Sequence, residues 1–587
     1  MKLKYTILTL LALLLTSCST PKQQNLTASK KTFKLQIIHM NDTHSHIQPT
    51  KLAISIDGKK TYVYAGGYAK IGKFIKDKKV AYHNTLVLHA GDALQGTLYF
   101  TLFKGVADVA ILNHMDIDAM TLGNHEFDNG AYDFAKYFAN NANFAIVSCD
   151  INATSNKELK NTIKPFIIKD FNTEKVAIVG DSIDSSIISS PGPTIKFLNY
   201  INSAKKTVKR LERMKINKII FLTHIGYDKD KILASQVNDI DIIAGGHSHT
   251  LLGNFKNIGL SSRGNYPTIV ESNNSKTLIV TAWEWGKVVG DLTVLFNDKG
   301  NIIDYKGYPI MLLNDKFIRK NSKGEKKEVD KKEKKKIEKF ISDSSDLMIQ
   351  IPDKTILKII NRYKPKVAKL KNNTIAKASI NFIHVRLPGE KYEQSGAILP
   401  QGSMVAPQIA LSIYKKAKIV GGCDFSLLNA GGIRAALSKG EITIGKIINI
   451  LPFGNTLIVL ELKGSDIKTM LENAIDRSYI KRVNTGAFPY LGNAKITIDI
   501  SKPIGQSVVS FKIKKDGKWV DINADKTYKI ATSKYISSGG DYYKEMKSAI
   551  NKYDTGYILS NIFINYLKKI KVLKPLKKED IPIRIIK

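Results

Sequence analysis

The chain has 587 residues, 43% of them hydrophobic and 9% aromatic; that apolar mass excludes a wholly disordered chain, which could not offset its ordering entropy. Mean hydropathy is -0.15, and no apolar run in the body of the chain reaches the about 20 residues of a membrane-spanning helix, which excludes a polytopic membrane protein. Lys and Arg number 90 against 52 Asp and Glu, a formal charge of +38; Lys dominates and Arg, the better fork for bases and phosphates, is scarce, so the charge reads as a solvated lysine-rich surface rather than a nucleic-acid reader.

The chain opens MKLKYTILTLLALLLTSCST. Lys2 and Lys4 precede an apolar stretch, Ile7 to Leu15, that is too short to span a bilayer comfortably. Leu15-Thr16-Ser17-Cys18 resembles a bacterial lipobox. The resemblance implies a signal peptide over 1–17, cleavage before a lipidated Cys18, and a polar tether over 18–32. The expected product is an exported, membrane-anchored lipoprotein, periplasmic or at the outer membrane or cell surface; stable anchoring takes more than one acyl chain. The other cysteines, Cys149 and Cys423, lie in separate halves and read as small core residues, not a disulfide framework or a zinc site.

From Phe33 to about residue 300, short apolar runs alternate with amphipathic stretches. The runs are LQIIHM (35–40), TLVLHAG (85–91), AMTLG (119–123), FAIVS (144–148), VAIVG (176–180), IIFLTH (219–224) and DIIAGG (241–246), while LTVLFND (292–298) alternates and stops in a turn, as a closing strand does. Continuous apolar runs of this length predict strands buried on both faces of an α/β structure. A dense charge run over 319–339 reads either as a disordered linker or as a solvated helix, with Ile337, Phe340 and Ile341 at helical spacing near its end. A second α/β region follows. The expected boundaries are 33–315 for the first domain, 316–352 for a charged, partly helical linker, and 353–575 for the second domain.

Five places in the first region share one design, an apolar strand followed by ligand-type residues at its carboxyl end. They are Asp42-Thr43-His44, Gly91-Asp92, Gly123-Asn124-His125-Glu126, Thr223-His224, and Gly245-Gly246-His247-Ser248-His249. Ligands in open α/β sheets gather there. The i, i+2 pairs Asp42/His44 and His247/His249 share a face in extended backbone, and the glycines permit close approach. Any one piece is weak, since a lone His beside an apolar run is ordinarily structural. His39, His46, His83, His89, His114 and His384 are read in that structural way.

In order, the five pieces match the calcineurin-like metallophosphoesterase signature. Further motifs, Asn429-Ala430-Gly431-Gly432-Ile433-Arg434, Pro452-Phe453-Gly454-Asn455 and Tyr535-Ile536-Ser537-Ser538-Gly539-Gly540-Asp541, narrow the resemblance to the bacterial 5′-nucleotidase/UDP-sugar hydrolase family over about residues 34 to 560. The resemblance implies a four-layer α/β/β/α metallophosphoesterase domain, a linker helix, and a C-terminal α/β nucleotide-binding domain. It implies two divalent cations, Zn²⁺, Mn²⁺ or similar. One would be held by Asp42, His44 and His249, the other by Asn124, His224 and His247, with Asp92 bridging. Some relatives have Gln where His249 stands. His125 would stabilise the phosphoryl oxygens, oriented by Asp128, as a carboxylate–imidazole pair does. Phe453 and Tyr535 would sandwich a nucleobase, Asn455 and Asp541 would bind base or ribose, and Arg434 and Arg386 would meet phosphate. Relatives carry one more Arg near Arg386, a place where this chain offers Lys391.

The resemblance thus implies an exported, monomeric enzyme releasing phosphate from nucleoside 5′-monophosphates for salvage, with the two halves of the site meeting by domain rotation. NAD, UDP-sugars and 2′,3′-cyclic nucleotides are alternative substrates of the same chemistry. A non-catalytic surface-binding lipoprotein is the alternative of another class; the complete ligand set argues against it. No nucleic-acid partner is expected.

Overall fold

The computed structural model describes residues 32–172, 174–182, 191–272, 275–393, 395–503 and 505–586. The signal segment and Cys18 lie outside the described residues.

Every apolar run of the first region is a strand. Phe33–Met40 pairs in parallel with Thr85–His89 and antiparallel with Val288–Phe296, and Ala119–Thr121 and Ala145–Val147 extend the parallel side. These belong to a 12-stranded sheet. Glu174–Asp181, Ile219–Thr223, Ile242–Gly245 and Ser275–Thr281 run parallel in a second, 6-stranded sheet.

The period-two alternation of side chains explains why these runs carry no polar face. Leu35, Ile37, Leu86 and Leu88 point at the other sheet and meet Ile178, Ile220, Leu222 and Ile242. Their neighbours Ile38, Met40 and Val87 point outward, against Ile71, Phe74 and Ile75 of helix Tyr68–Ala81. On the opposite side, Ala177, Val179, Phe221 and Ile243 pack against helices Tyr200–Arg213 and Tyr227–Gln236. The result is the expected stack of four layers, α/β/β/α.

The charge run over 319–339 is not a free linker. Ile318–Lys320 and Lys326–Glu328 form a hairpin on the edge of the large sheet. Helix Lys331–Ser342, capped by the Asp330 side chain on Glu333 N, buries Ile337 and Ile341 beside Val63 and Phe317. Its lysines lie on the solvent side of an amphipathic helix, which is how a charged run can still fold onto a core. A hairpin of Thr50–Ile56 and Lys59–Ala65, turning at Asp57-Gly58, both with positive φ, completes that edge.

The chain passes between domains through helix Lys354–Lys371, capped by Asp353 on Thr355 N and Ile356 N. The second domain has a 5-stranded sheet ordered Pro489–Gly492, Phe425–Asn429, Thr527–Ser533, Thr456–Lys463, Ile550–Ile558. It also has a 4-stranded sheet whose last member, Ile583–Ile586, pairs with Ala494–Asp499. The domain therefore runs past residue 575, because the terminal strand closes a sheet edge. Among the described residues no helix is long and apolar enough to cross a membrane.

Candidate active site

The seven candidate ligands sit just past the carboxyl ends of five strands. Asp42 and His44 follow Phe33–Met40, Asp92 follows Thr85–His89, and Asn124 follows Ala119–Thr121; His224 follows Ile219–Thr223, and His247 and His249 follow Ile242–Gly245. Five of them, Asp42, His44, Asp92, His247 and His249, have φ between 47 and 73. Left-handed backbone costs a non-glycine residue about 1–3 kcal/mol, and such strain clusters where function over-determines it. Here His44 N donates to Asp92 O at 3.0 Å, and His247 N donates to Asp42 Oδ2 at 3.0 Å, so the loops hold one another in place. Gly123 and Gly246 admit the close approach: a Cβ at Gly123 would lie 2.1 Å from Asp92 Oδ1, and one at Gly246 would lie 2.4 Å from Ala90 O and 2.8 Å from His224 Nδ1.

The side chains converge. His249 Nε2 lies 3.3 Å from Asp42 Oδ1 and 3.1 Å from His44 Nε2. His224 Nε2 lies 3.0 Å from Asp92 Oδ2, and His247 Nδ1 lies 3.1 Å from Asn124 Oδ1. Distal partners fix the rings. His224 Nδ1 is 2.7 Å from Ala90 O, His44 Nδ1 is 3.1 Å from Leu94 O, and His249 Nδ1 is 2.9 Å from Glu284 Oε2. Each contact turns an Nε2 into the cluster, as metal-ligating histidines are held. Two groups capable of holding a cation result, Asp42/His44/His249 and Asp92/His224/His247, and a third set joins His125 to His44 and Asp92.

Electrostatics test the fit of cations. Burial raises the Asp42 and Asp92 carboxyls, yet the facing imidazoles outweigh it: His249 and His224 draw Asp42 down to about 2, and His224 and His125 hold Asp92 well below the usual carboxylate range. Burial lowers the His249 and His224 imidazoles, but the carboxylates push them up to about 10 and about 9. Burial holds His44 at about 4 and His247 at about 3, as neutral lone-pair donors. The cluster thus demands positive charge and offers mixed N/O donors, so two divalent cations fit it.

His125 Nδ1 lies 2.8 Å from Asp128 Oδ2, its backbone N donates to Asp92 Oδ1 at 2.9 Å, and among the described residues its buried Nε2 has no hydrogen-bond partner. Burial opposes its protonation, while Asp128 and Asp92 push it up to about 9. In this arrangement the second domain covers it: a Cβ at Gly556 would lie 2.3 Å from Nε2, and Tyr557 OH donates to Asp128 Oδ1 at 3.0 Å.

The second-domain residues gather around another recess. Phe453 and Asn455 line it with Asn429 and Ser533. Tyr535 is not in that lining, but its OH donates to Asp541 Oδ1 at 2.9 Å, and Asn429 Nδ2 donates to Asp541 Oδ2 at 2.7 Å. Phe453 is 54% exposed and Tyr535 47%. The Arg434 guanidinium lies 5.8 Å from the Phe453 ring. Arg386 donates to Thr485 Oγ1 at 3.2 Å. Burial, then Arg386 and Arg434, lower His384 to about 4, so the two arginines share one neighbourhood.

Four residues that motif reading left without a role support this site. Glu126 accepts from the backbone N of Asp92, Ala93, Leu94 and Gly123, at 3.0, 2.9, 3.3 and 2.6 Å, and so ties together two ligand-bearing loops. Glu284 takes His249 Nδ1 and also Lys534 Nζ from the second domain. Trp285 N donates to Asp42 O at 2.6 Å, its ring stacks on His46 with centroids 4.5 Å apart, and a Cβ at Gly454 would lie 3.4 Å from that indole. The sequence signals were the Glu closing Gly123–Glu126 and the Trp283-Glu284-Trp285 run.

Residues 35–251 match the calcineurin-like phosphoesterase family, and residues 396–548 match the 5′-nucleotidase C-terminal domain. The chain is 32% identical to the NAD 5′-nucleotidase of Haemophilus influenzae over 95% of this chain and 94% of that one. It is 31% identical to a probable 5′-nucleotidase of Treponema pallidum over 88% of each. The solved structure of the Haemophilus influenzae NAD nucleotidase superimposes with a TM-score of 0.83 over 95% of this chain and 100% of that one, at 31% identity. A 5′-nucleotidase precursor from Thermus thermophilus gives 0.56 over 94% and 99%, at 33% identity.

Proposed function

The chain belongs to the 5′-nucleotidase family, metal-dependent phosphoesterases acting on the phosphate esters of nucleotides, and within it we propose an NAD nucleotidase. It opens the pyrophosphate of NAD and then removes the 5′-phosphate of the resulting mononucleotides. The observation that carries the hydrolytic reading is the pair of cation-binding groups that converge beside His125. The dinucleotide reading is supported by end-to-end similarity to the Haemophilus influenzae NAD 5′-nucleotidase. Nucleoside 5′-monophosphates are thereby the second step's substrates rather than the whole repertoire.

Asp42, His44 and His249 would hold one cation and Asn124, His224 and His247 the other, with Asp92 beside both. Such cations supply Lewis acidity toward a phosphoryl oxygen and a nucleophilic water at neutral pH. The chain's own residues do the rest. Asp128 holds the proton on His125 Nδ1, which leaves Nε2–H free to donate to the charge that grows on the phosphoryl group. In the pyrophosphate step water adds to one phosphorus, the P–O bond to the bridging oxygen breaks, and the departing phosphate keeps that oxygen. Phe453 and Tyr535 stack on the base, Asn455 and Asp541 orient it, and Arg434 with Arg386 takes phosphate. Export through residues 1–17 with lipid on Cys18 places the reaction outside the cytoplasm, where intact dinucleotides do not cross the membrane.

The test separates products of NAD, AMP, UDP-glucose and 2′,3′-cyclic AMP after incubation with Mn²⁺- or Zn²⁺-loaded protein. AMP and nicotinamide mononucleotide should appear from NAD before nucleosides and phosphate, and chelation should stop both steps. Hydrolysis of AMP with NAD untouched would return the chain to a monophosphate nucleotidase. Labelled palmitate incorporated by the parent and lost in Cys18→Ser would support the anchor.

A further inference from the structure

A cavity of about 560 Å³ lies between the domains. One wall is the segment from Gln95 to Lys104 with Asp128; the other is formed by helices Ala406–Val420 and Leu559–Ile570. None of the candidate metal ligands lines it.

Its charge is lopsided. Lys104, Lys415, Lys416 and Lys569 face a single carboxylate, Asp128, which is already engaged by His125 Nδ1 at 2.8 Å and Tyr557 OH at 3.0 Å. Lys104 pairs with Asp133 at 2.8 Å. Among the described residues the other three lysines make neither an ion pair nor a hydrogen bond. Lys415 instead lies 5.0 Å from the Tyr566 ring centroid, and Lys416 lies 3.5 Å from that of Tyr557. Burial lowers the Lys416 ammonium, and Asp128 is the group that opposes it. Lys416 loses hydration on entering the cleft, and Lys415 and Lys569, exposed at its rim, repel it, a cost that ring faces offset only partly. A multiply charged anion opposes that repulsion.

The geometry points to a second anion site, separate from the metal centre, in which Lys415, Lys416 and Lys569 hold a tetrahedral phosphoryl dianion. Lysine suits this task as a compact point charge. The three lysines come from the second domain, while the facing wall belongs to the first. Asn561 Nδ2 already spans the gap to Gly96 O at 2.8 Å, so a bound anion touches both domains and favours this arrangement of the two. Orthophosphate and the phosphate of a nucleotide share the required chemistry.

Equilibrium dialysis of the Mn²⁺-loaded protein tests the site by stoichiometry. With orthophosphate the parent should bind two per chain, and Lys416→Met/Lys569→Met should bind one, its lost site weakened at least tenfold. Lys416→Arg/Lys569→Arg should restore two, which separates loss of charge from loss of fold. A methylene-bridged nucleoside diphosphate that resists cleavage forms the second arm: two bound would make nucleotide phosphate a ligand, and one bound beside two orthophosphates would make free phosphate the ligand. One orthophosphate per parent chain, or two in the Met variant, would overturn the site whatever the enzyme's substrate proves to be.

Discussion

A single carboxylate oxygen, Oε2 of Glu284, serves both His249 of its own domain and Lys534 of the other, with His249 Nδ1 at 2.9 Å and the Lys534 ammonium against it. Lys287 Nζ takes Oε1 at 2.8 Å, and the surrounding cations hold the Glu284 carboxyl well below its usual range against the effect of burial. A carboxylate on the distal nitrogen of a ligating imidazole orients the ring and raises its basicity. Glu284→Gln keeps the shape and removes the charge. Metal retention should weaken about 10- to 100-fold, read as metal content after dialysis against graded chelator. Unaltered retention would mean that His249 owes its orientation to its strained backbone alone.

Lys534 crosses to the first domain through Glu284 and, within its own domain, lies 3.4 Å from Asp554. Asp554 begins the segment whose Gly556 covers His125 Nε2. A phosphoryl group reaches that nitrogen only when this segment moves, so the ion pair stabilises a covered state. Lys534→Met should raise kcat by roughly twofold to tenfold, equivalent to about 1 kcal/mol of docking energy. It should also enlarge the radius of gyration in small-angle scattering. A fall in kcat at unchanged dimensions would make Lys534 part of the reaction instead.

His125 and Asp128 predict a graded loss. His125→Ala removes the donor that faces the cation groups and should cut kcat about 10²- to 10⁴-fold with little change in KM. Asp128→Asn leaves an amide oxygen that still accepts from Nδ1, so the ring keeps its orientation, while Asp92 and Glu126 are left to favour the imidazolium that carries Nε2–H. Its loss should be smaller by at least about tenfold. Equal losses in the two variants would show that the charge of Asp128, rather than the orientation of the ring, is what His125 needs.

The convergence of the candidate ligands was legible because each follows an apolar strand, and strand ends of a parallel sheet converge. The same runs made buried α/β strands legible, while the four-layer stack followed from the family resemblance. What stayed hidden depends on shape rather than residue type. Glu126 binds four backbone N–H groups, a pattern that exists only once the Asp92 and Gly123 turns are folded. Glu284 is 35 residues from His249 and 250 from Lys534, and no local spacing joins them. The charge run over 319–339 left linker and helix open because its composition is solvated either way; Ile337 and Ile341 decide the matter by reaching Phe317. The closing strand Ile583–Ile586 was missed because four residues after a lysine-rich stretch carry too little pattern to be read.

Asp108 gives a prediction independent of the metals. It is fully buried, and among the described residues neither carboxylate oxygen finds an aligned hydrogen-bond partner. Burial raises it to about 8; the Ser45 hydroxyl and its own backbone N–H oppose that, and Glu126 adds to it. Tyr68 and Tyr99 are the other titratable groups that face it. Because the folded value exceeds the unfolded one, the folded chain keeps a proton that the unfolded chain has lost, and stability drains as pH rises toward about 8. Asp108→Asn cannot ionise. Its stability advantage over the parent should grow by up to about 1.4 kcal/mol per pH unit from the ordinary aspartate range upward, then level off above about 8. Denaturant titrations of both proteins at pH 5, 7 and 9 measure that difference. A difference that does not vary with pH would mean that Asp108 titrates alike in the folded and unfolded chains, and that the pocket beneath Ser45 is not as dry as its burial implies.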